Sequence, residues 1–231
     1  MTIFRDSPAL FEDRVDAGRR LAREMPASLE GRIAVYGLAR GGVPVAAEVA
    51  RALGAPLDAL VVRKVGHPLH REYALGAVTA DGPPYLREMR GLDGRATPEL
   101  RGRVREAAAE ARAMDERLHE ETGRLDPSGA TCVLVDDGLA TGASMVAACR
   151  WARAHGASRV VAAVPVGARD SVDALRAEAD EVVCPHAVYD FWAVSIWYAD
   201  FGQTGEDEVR ALLREGGPAA AAGTADQGGG G

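Results

Sequence analysis

Residues 132 to 145 read Cys-Val-Leu-Val-Asp-Asp-Gly-Leu-Ala-Thr-Gly-Ala-Ser-Met. The apolar run at 133–135 predicts a short strand that is buried on both faces. Two carboxylates follow it, then a glycine-flanked turn at 138–142, and a helical pattern begins at Ala143. A buried strand that passes through a short turn into a helix is typical of α/β proteins with a parallel sheet. This stretch therefore predicts an α/β fold.

The same stretch predicts a ligand. A helix N-terminus offers free backbone N–H groups and the positive end of the helix dipole, which suit a phosphate dianion. The hydroxyls of Thr141 and Ser144 can add donors. Asp136 and Asp137 are acceptors only when ionised, so they would repel phosphate and suit the vicinal hydroxyls of an attached sugar. We infer ribose 5-phosphate as the ligand. The residues expected around its phosphate are Gly138, Leu139, Ala140, Thr141, Gly142, Ala143 and Ser144.

A plain helix cap is the alternative interpretation of this turn. An Asp and two glycines can cap a helix and close a tight turn without binding anything. However, a bare turn needs neither the second Asp nor the Thr-Gly step. The turn is not a Walker loop, because no Lys follows Gly142, and the chain contains no G-x-G-x-x-G. The phosphate and sugar site is therefore favoured.

Length and composition limit the possible classes of protein. The 231 residues, 47% hydrophobic and 26% charged, suffice for one substantial core, which predicts one domain with a small appendage. A net charge of -7 and a pI near 5.3 argue against charge-driven nucleic-acid binding. No leader pattern or bilayer-length apolar run is present, so we expect a cytoplasmic protein without a membrane partner. Cys132, Cys149 and Cys184 form no C-x-x-C and are expected to be reduced core residues.

Apolar periodicity predicts alternating strands and helices and hence a parallel sheet. The strands are expected at 33–38, 57–64, 74–79, 133–135, 159–166 and 181–184. The helices are expected from the cap at Ser7 to about Met25, at 41–53, from Thr97 and Pro98 onward, from Ala143 to about His155, at 171–178 and at 206–214. The aperiodic segment 80–97 predicts a mobile loop, and the Gly- and Ala-rich segment 216–231 predicts a disordered tail.

Cationic residues follow the first two predicted strands. Ala39-Arg40-Gly41-Gly42 closes the first strand, and Arg63-Lys64 closes the second. The carboxyl ends of parallel strands meet at one edge of the sheet, where open α/β sheets bind ligands, and the turn at 138–142 opens on that edge. Each piece alone could be an ordinary turn or a solvated strand end. Together they predict a cradle of cations and backbone N–H groups for a diphosphate.

The pattern around Asp136 resembles a known signature, namely that of the type I phosphoribosyltransferases. That signature is an apolar strand, two acidic residues, three variable residues, Thr or Ala, Gly, one residue, and Thr or Ser. Asp136, Asp137, Thr141, Gly142 and Ser144 match it position by position. Together with it, Arg-Gly-Gly-Val-Pro-Val at 40–45, Val-Val-Arg-Lys-Val-Gly at 61–66 and Trp-Tyr-Ala-Asp-Phe-Gly-Gln-Thr at 197–204 look like a predicted bacterial phosphoribosyltransferase family of unknown acceptor.

The resemblance runs from about Phe4 to Leu213 and implies a fold. That fold is the type I phosphoribosyltransferase fold, a central parallel sheet flanked by helices with a small hood subdomain. The implied domain covers 1–215, with the hood formed from about 66–121 and 185–203. The resemblance also implies a cis peptide bond between Ala39 and Arg40.

The implied reaction is transfer of a phosphoribosyl group from 5-phosphoribosyl 1-diphosphate (PRPP) to a nitrogenous acceptor, such as a nucleobase or another planar amine, with release of pyrophosphate. Magnesium would be held mainly by PRPP, without a dedicated protein metal site. The implied catalytic residues are Asp136, Asp137, Arg40 and Lys64. The implied PRPP-binding residues are these, the turn from Gly138 to Ser144, and Ala39, Gly41 and Arg63. A homodimer is the family-like expectation.

The acceptor is less defined. An insertion after the second strand and an aromatic C-terminal stretch would form its pocket, with Glu72 a candidate acid or base by position alone. The aromatic candidates are Tyr189, Phe191, Trp192 and Trp197, which could stack on a planar acceptor or form the core of the hood, and the core role is slightly favoured. Enzymes acting on 6-oxopurines carry an Asp before the Thr of the loop. This chain has Ala140 there, which makes such substrates less expected without establishing adenine.

Two other functions stay open at this point. A regulatory protein could bind PRPP without transferring anything, although the acidic balance and the lack of an added domain argue against it. A hydrolase of phosphoribosyl compounds could use the same site and would release free ribose phosphate without an acceptor.

Overall fold

A computed structural model describes residues 9–66, 74–87 and 97–217. Its strands are β1 (Ile33–Ala39), β2 (Leu57–Gly66), β3 (Ala74–Thr79), β4 (Tyr85–Leu86), β5 (Thr131–Val135), β6 (Arg159–Ala163), β7 (Val166–Ala168), β8 (Glu181–Val183) and β9 (His186–Val188). Its helices are α1 (Arg14–Arg23), α2 (Gly42–Leu53), α3 (Pro98–Leu118), α4 (Ala143–Ala154), α5 (Arg169–Leu175) and α6 (Glu206–Gly216), with a 3-10 helix at Val194–Trp197.

The main sheet is mostly parallel, which confirms the predicted α/β class. Its seven strands lie in the order β4-β3-β2-β1-β5-β6-β8, and the five strands from β2 to β8 run parallel. β3 instead pairs antiparallel with β2, and β4 pairs antiparallel with β3. The predicted parallel sheet is thus confirmed from β2 to β8, and two antiparallel strands extend it at the edge beside β2. The connection from β2 to β3, residues 67–73, is too short for the crossover that two parallel strands require. Strand β4 also lies inside the segment that was predicted to be a loop.

Helices cover both faces of this sheet. Alternate residues of β1 point to opposite sides, so Val35 belongs to the apolar cluster that includes residues of α1, α2, α3 and α6, whereas Tyr36 belongs to the cluster that includes α4. The predicted long helix is confirmed as α3, whose N-cap Thr97 accepts a hydrogen bond from the Leu100 N–H. Its buried stripe faces β2 and β3 rather than solvent. Cys132 and Cys149 are buried and unpaired, as expected, whereas Cys184 is unpaired but only half-buried.

The first helix is shorter than predicted. α1 begins at Arg14 because the Asp13 side chain caps it, accepting a hydrogen bond from the Asp16 N–H at 2.8 Å. Phe11, expected inside the helix, is 1% exposed and forms an isolated β-bridge with Tyr198. Periodicity could not reveal a partner so distant in the chain. The predicted cap Ser7 lies outside the described residues.

Other predictions also fall outside the described ranges. Glu72 and most of the predicted tail, from residue 218, are among them, while Gly216 ends α6. The hood borders at 66–121 and 185–203 stay a prediction. Within the described ranges, no helix is long and apolar enough to cross a membrane.

Candidate functional site

Two consecutive carboxylates lie directly after the central strand β5. The register pairs Gly37 of β1 with Val135 of β5, so Asp136 and Asp137 lie beside the chain that leaves β1. A Cβ atom on Gly42 would stand 2.6 Å from the Val135 carbonyl oxygen, and one on Gly41 would strike the Asp137 carboxylate. Glycines are therefore required here by close approach of the two segments.

The segment that leaves β1 has the geometry that the family resemblance implied. The peptide bond between Ala39 and Arg40 is cis. The Arg40 side chain is exposed. The pKa of Glu206 is lowered mainly by the hydrogen bond and charge of Arg117, and the nearby charge of Arg40 lowers it further. Arg40 thus lies at the carboxyl edge of the sheet but does not line the pocket beside Asp136.

A pocket of about 130 Å³ opens at the start of α4. It is lined by Lys64, residues 136–145 and Val194. Gly142, the N-cap of α4, has a φ of 76°, and no side chain caps the helix. The first N–H groups of a helix have no intrahelical acceptor. These groups and the helix dipole can therefore bind an anion, which is the chemistry that the sequence predicts for this turn.

The turn before α4 is anchored from behind. The Leu139 N–H donates to the Val166 carbonyl at 2.9 Å, and the Ala168 N–H donates to the Leu139 carbonyl at 2.8 Å. The Ser171 hydroxyl donates to the Ala140 carbonyl at 2.7 Å. The turn therefore directs these carbonyl groups to β7 and α5, and its residues also line the pocket.

The two cations predicted at the end of β2 point in different directions, as neighbours on a strand do. Lys64 is exposed and lines the pocket. Arg63 turns to α3, where its guanidinium lies 2.8 Å from the Met114 sulfur and 4.0 Å from a Glu110 oxygen. The structure therefore brings Lys64, and not Arg63, into the predicted PRPP site.

Asp137 is held by a residue that sequence analysis missed. Arg14 donates to its Oδ2 through Nε at 2.9 Å and through a terminal nitrogen at 2.8 Å. The Tyr198 hydroxyl donates to the Asp137 backbone carbonyl at 2.6 Å. Both partners come from chain segments far from β5, so no local pattern could have indicated them.

Burial dominates the electrostatics of the site. It raises the pKa of Asp136 well above its usual value, and the charge of Asp137 raises it further. Burial also raises the pKa of Asp137, while the charge and hydrogen bonds of Arg14 lower it. Burial and then the charge of Asp137 raise the pKa of Tyr198, so its hydroxyl stays a donor. Among residues 9–66, 74–87 and 97–217, no group of three or more His, Cys, Asp or Glu could hold a metal ion.

Val194 is a second residue that the sequence analysis missed. It lies at the start of the 3-10 helix and lines the pocket. A Cβ atom on Gly138 would stand 2.6 Å from one Val194 methyl group and 2.9 Å from the other. The glycine after the two carboxylates was therefore a signal of close approach, although it could not say which residue approaches.

The aromatic residues predicted for the acceptor pocket divide into two groups. Tyr189 and Trp192 are 83% and 80% exposed. Phe191 and Trp197 stack with ring centroids 6.2 Å apart and pack against the cluster of Phe11, Val166 and Tyr198. The favoured core role fits the second pair only, because the first pair is not buried. None of these four residues lines the pocket at residues 136–145.

Comparison with known proteins gives a consistent result. The family model for the phosphoribosyl transferase domain matches residues 10–199. Two Mycobacterium tuberculosis proteins, named "Putative phosphoribosyl transferase" MT0597 and Rv0571c, are 48% identical over 209 residues, or 88% of this chain. The chain spans about half the length of these relatives, 46%.

A solved structure supports the fold over nearly the whole chain. The crystal structure of TT1426 from Thermus thermophilus is 42% identical, and the match covers 90% of this chain and 99% of that one with a TM-score of 0.76. This chain belongs to the phosphoribosyl transferase domain family and has the type I phosphoribosyltransferase fold.

Proposed function

We propose that this chain is a PRPP-dependent phosphoribosyltransferase that acts on a nucleobase or a similar planar amine and releases pyrophosphate. One observation carries the proposal. An uncapped helix N-terminus and two adjacent carboxylates share one pocket at the carboxyl edge of the parallel sheet. The first suits a phosphate and the second suits the hydroxyls of its sugar.

In the proposed complex, the 5-phosphate of PRPP lies on the turn from Gly138 to Ser144. Backbone N–H groups there donate to its oxygens, and Thr141 and Ser144 add hydroxyl donors. Asp136 and Asp137 accept hydrogen bonds from the ribose hydroxyls. These contacts orient the ribose and leave its C1 carbon directed away from the turn.

The diphosphate would lie toward Lys64 and Arg40. Lys64 is the cation that lines the pocket, and Arg40 is exposed beside the Gly41-Gly42 segment. Arg63 is left out of this role because its guanidinium contacts Met114 on α3. Oxygen donors suit Mg²⁺, which we propose is brought and held by the phosphate oxygens of PRPP. The ion would partly neutralise the charge of the leaving diphosphate.

Transfer breaks the bond between C1 and the diphosphate oxygen and forms a bond from C1 to the acceptor nitrogen. Positive oxocarbenium character then develops on the ribose, as in glycoside hydrolysis, and negative charge grows on the pyrophosphate. Cations fixed near the pyrophosphate stabilise this state more than the ground state. The loss of one such contact costs about 2.7–4 kcal/mol in activation free energy.

The acceptor would enter from the side of Val194, whose methyl groups give the pocket an apolar wall. Ala140 supplies no carboxylate for a 6-oxopurine, so we propose a base or amine of another class. We also propose a homodimer, and light scattering that shows a monomer would contradict it.

The test combines calorimetry with product analysis. PRPP and Mg²⁺ are titrated into the purified protein, and pyrophosphate release is then followed against a panel of nucleobases and small aromatic amines. We expect binding and acceptor-dependent release, both weakened by Asp137→Asn. Binding without release would favour a PRPP-binding regulatory protein, and free ribose phosphate without acceptor would favour a hydrolase. Absence of binding would contradict the proposal.

A further inference from the structure

The Asp137 carboxylate is shared between a protein contact and the open pocket. Arg14 makes both of its hydrogen bonds to one oxygen, Oδ2, at 2.9 and 2.8 Å. The other oxygen, Oδ1, is not engaged by Arg14. The two side chains are only 13% and 14% exposed, so this is not a solvated surface pair.

Arg14 is itself fixed on its other sides. One terminal nitrogen donates to the Gly202 carbonyl at 2.6 Å, and the guanidinium carbon lies 4.0 Å from the centre of the Phe201 ring. Asp13, one residue earlier, caps α1 and so fixes the backbone from which Arg14 projects. The guanidinium therefore has a defined orientation before it meets Asp137.

The contact joins three separate parts of the chain. The Phe11 N–H donates to the Trp197 carbonyl at 3.0 Å, and the Asp200 N–H donates to the Glu12 carbonyl at 2.8 Å. Residues 11–14 and 197–202 thus form one bridge beside the site. Asp137 is the point at which this bridge touches the carboxylate pair.

We propose that Arg14 is a positioning residue for ribose recognition. It holds Asp137 in one orientation and favours its ionised form, so that Oδ1 faces a ribose hydroxyl, although Arg14 itself does not touch the ligand. This inference rests on the proposed function, since it concerns the residue that binds the ribose hydroxyls.

The chemical reason is the cost of two adjacent buried carboxylates. Burial disfavours the charged form of each, and the charge on either one opposes ionisation of the other. A carboxylic acid or a freely rotating carboxylate is a poorer hydrogen-bond acceptor than a fixed carboxylate. Arg14 counters both effects, because a guanidinium offers a rigid set of donors together with a permanent charge.

The test measures ribose 5-phosphate and inorganic phosphate binding by calorimetry. Arg14→Met is expected to weaken the binding of ribose 5-phosphate about tenfold, which lies within the range of coupling between residues in contact. The affinity for inorganic phosphate should stay unchanged, because phosphate binds the turn rather than Asp137. Arg14→Lys, which keeps the charge, should recover part of the loss. Arg19→Met is the matched control, since Arg19 lies on the same helix but does not line the pocket. Its Nε lies 3.3 Å from a Glu48 carboxylate oxygen.

A double-mutant cycle separates positioning from general damage. In an Asp137→Asn background, Arg14→Met should have less than about a threefold further effect, because its target is already altered. A full tenfold further effect, or equal loss for both ligands, would overturn the inference and indicate a structural role. If the wild-type protein binds ribose 5-phosphate but Arg14→Met binds it equally well, only this inference fails. If the wild-type protein does not bind it, the proposed function fails as well.

Discussion

Asp58 and the pair Asp136 and Asp137 are carboxylates withdrawn from solvent, but they differ in their hydrogen-bond partners. Asp58 is 3% exposed and accepts three hydrogen bonds, from the His119 ring and the Ala59 N–H on Oδ1, and from the Leu125 N–H on Oδ2. Both of its oxygens are therefore occupied by the protein. Asp137 has a partner for Oδ2 in Arg14, and its neighbours line an open pocket.

This difference in hydrogen bonding supports separate roles for the two sites. A buried polar group that is fully hydrogen-bonded within the protein adds rigidity and specificity to the fold. Asp58 does so by joining β2 to the end of α3 and to the segment that leads to β5. Two adjacent carboxylates that are largely buried cost stability unless their charges are compensated. Arg14 contacts only Oδ2 of Asp137, and both carboxylates line an open pocket, which is the observation that supports the proposed ribose contacts.

The largest expected effect concerns His119. Its ring nitrogens lie 2.7 Å from Asp58 Oδ1 and 2.8 Å from the Asp115 carbonyl oxygen. His119→Leu leaves Asp58 buried without its cation, so we expect the free energy of unfolding in urea to fall by about 3–5 kcal/mol.

His155→Leu is the matched control for this change. His155 pairs with Asp81 at 3.1 Å, but that carboxylate is 60% exposed, so the expected loss is at most about 1 kcal/mol. Equal losses in the two variants would remove the distinction between Asp58 and an ordinary surface pair.

The second prediction concerns pH. Burial lowers the pKa of His119, but the hydrogen bonds to Asp115 and Asp58 outweigh it and raise the pKa to about 10. The folded protein then binds a proton that the unfolded chain, with an ordinary His pKa near 6.5, has released. The stabilisation is complete below about pH 6.5 and is lost as the pH rises to about 10. Urea unfolding at several pH values should show that the difference in unfolding free energy between wild type and His119→Leu narrows over that range. A difference that does not change with pH would contradict a charged His119–Asp58 pair.

The third prediction concerns the wall of the pocket. Gly138→Ala forces Val194 to move, because the new Cβ would stand 2.6 Å from a methyl group. We expect a loss of about 1–3 kcal/mol in unfolding free energy and weaker binding of ribose 5-phosphate. Gly102→Ala on α3 is the control, because nothing lies within 4 Å of its Cβ, and it should gain about 0.5–1 kcal/mol. Thermal unfolding of both variants gives the comparison.

The smallest effect has the opposite sign. Burial and the charge of Asp137 raise the pKa of Asp136, so its ionised form destabilises the folded state near neutral pH. Asp136→Asn should therefore raise the free energy of unfolding by about 1–2 kcal/mol while weakening ribose 5-phosphate binding. Asp126→Asn, on an exposed carboxylate, should change stability by less than about 0.5 kcal/mol. A loss of stability in Asp136→Asn would mean that this carboxylate stabilises the fold, as Asp58 does.

Local patterns account for the parts of the structure that the sequence predicted well. β1, α2, β5 and α4 lie within one or two residues of their expected positions, since apolar runs and glycines mark their ends. A ligand could be proposed for the turn at 136–144 because its donors and acceptors are consecutive in the chain, and that ligand stays a prediction. The antiparallel pairing of β3 was not predicted, although the short connection from β2 indicates an antiparallel partner.

Contacts between distant segments account for what was missed. Arg14 and Asp137 are 123 positions apart, and Tyr198 and Asp137 are 61 apart. No periodicity relates such positions, so the ion pair could only be found from the fold. The different directions of Arg63 and Lys64 follow from strand geometry, but which of the two faces the pocket depends on where α3 and α4 pack.

A crystal structure of the protein with PRPP and Mg²⁺ would show directly where the ligand binds. We expect the 5-phosphate on the backbone N–H groups of residues 140–144, the ribose hydroxyls on Asp136 and on Oδ1 of Asp137, and the diphosphate toward Lys64 and Arg40. A well-ordered PRPP bound elsewhere, with the turn from Gly138 to Ser144 free of phosphate, would contradict it.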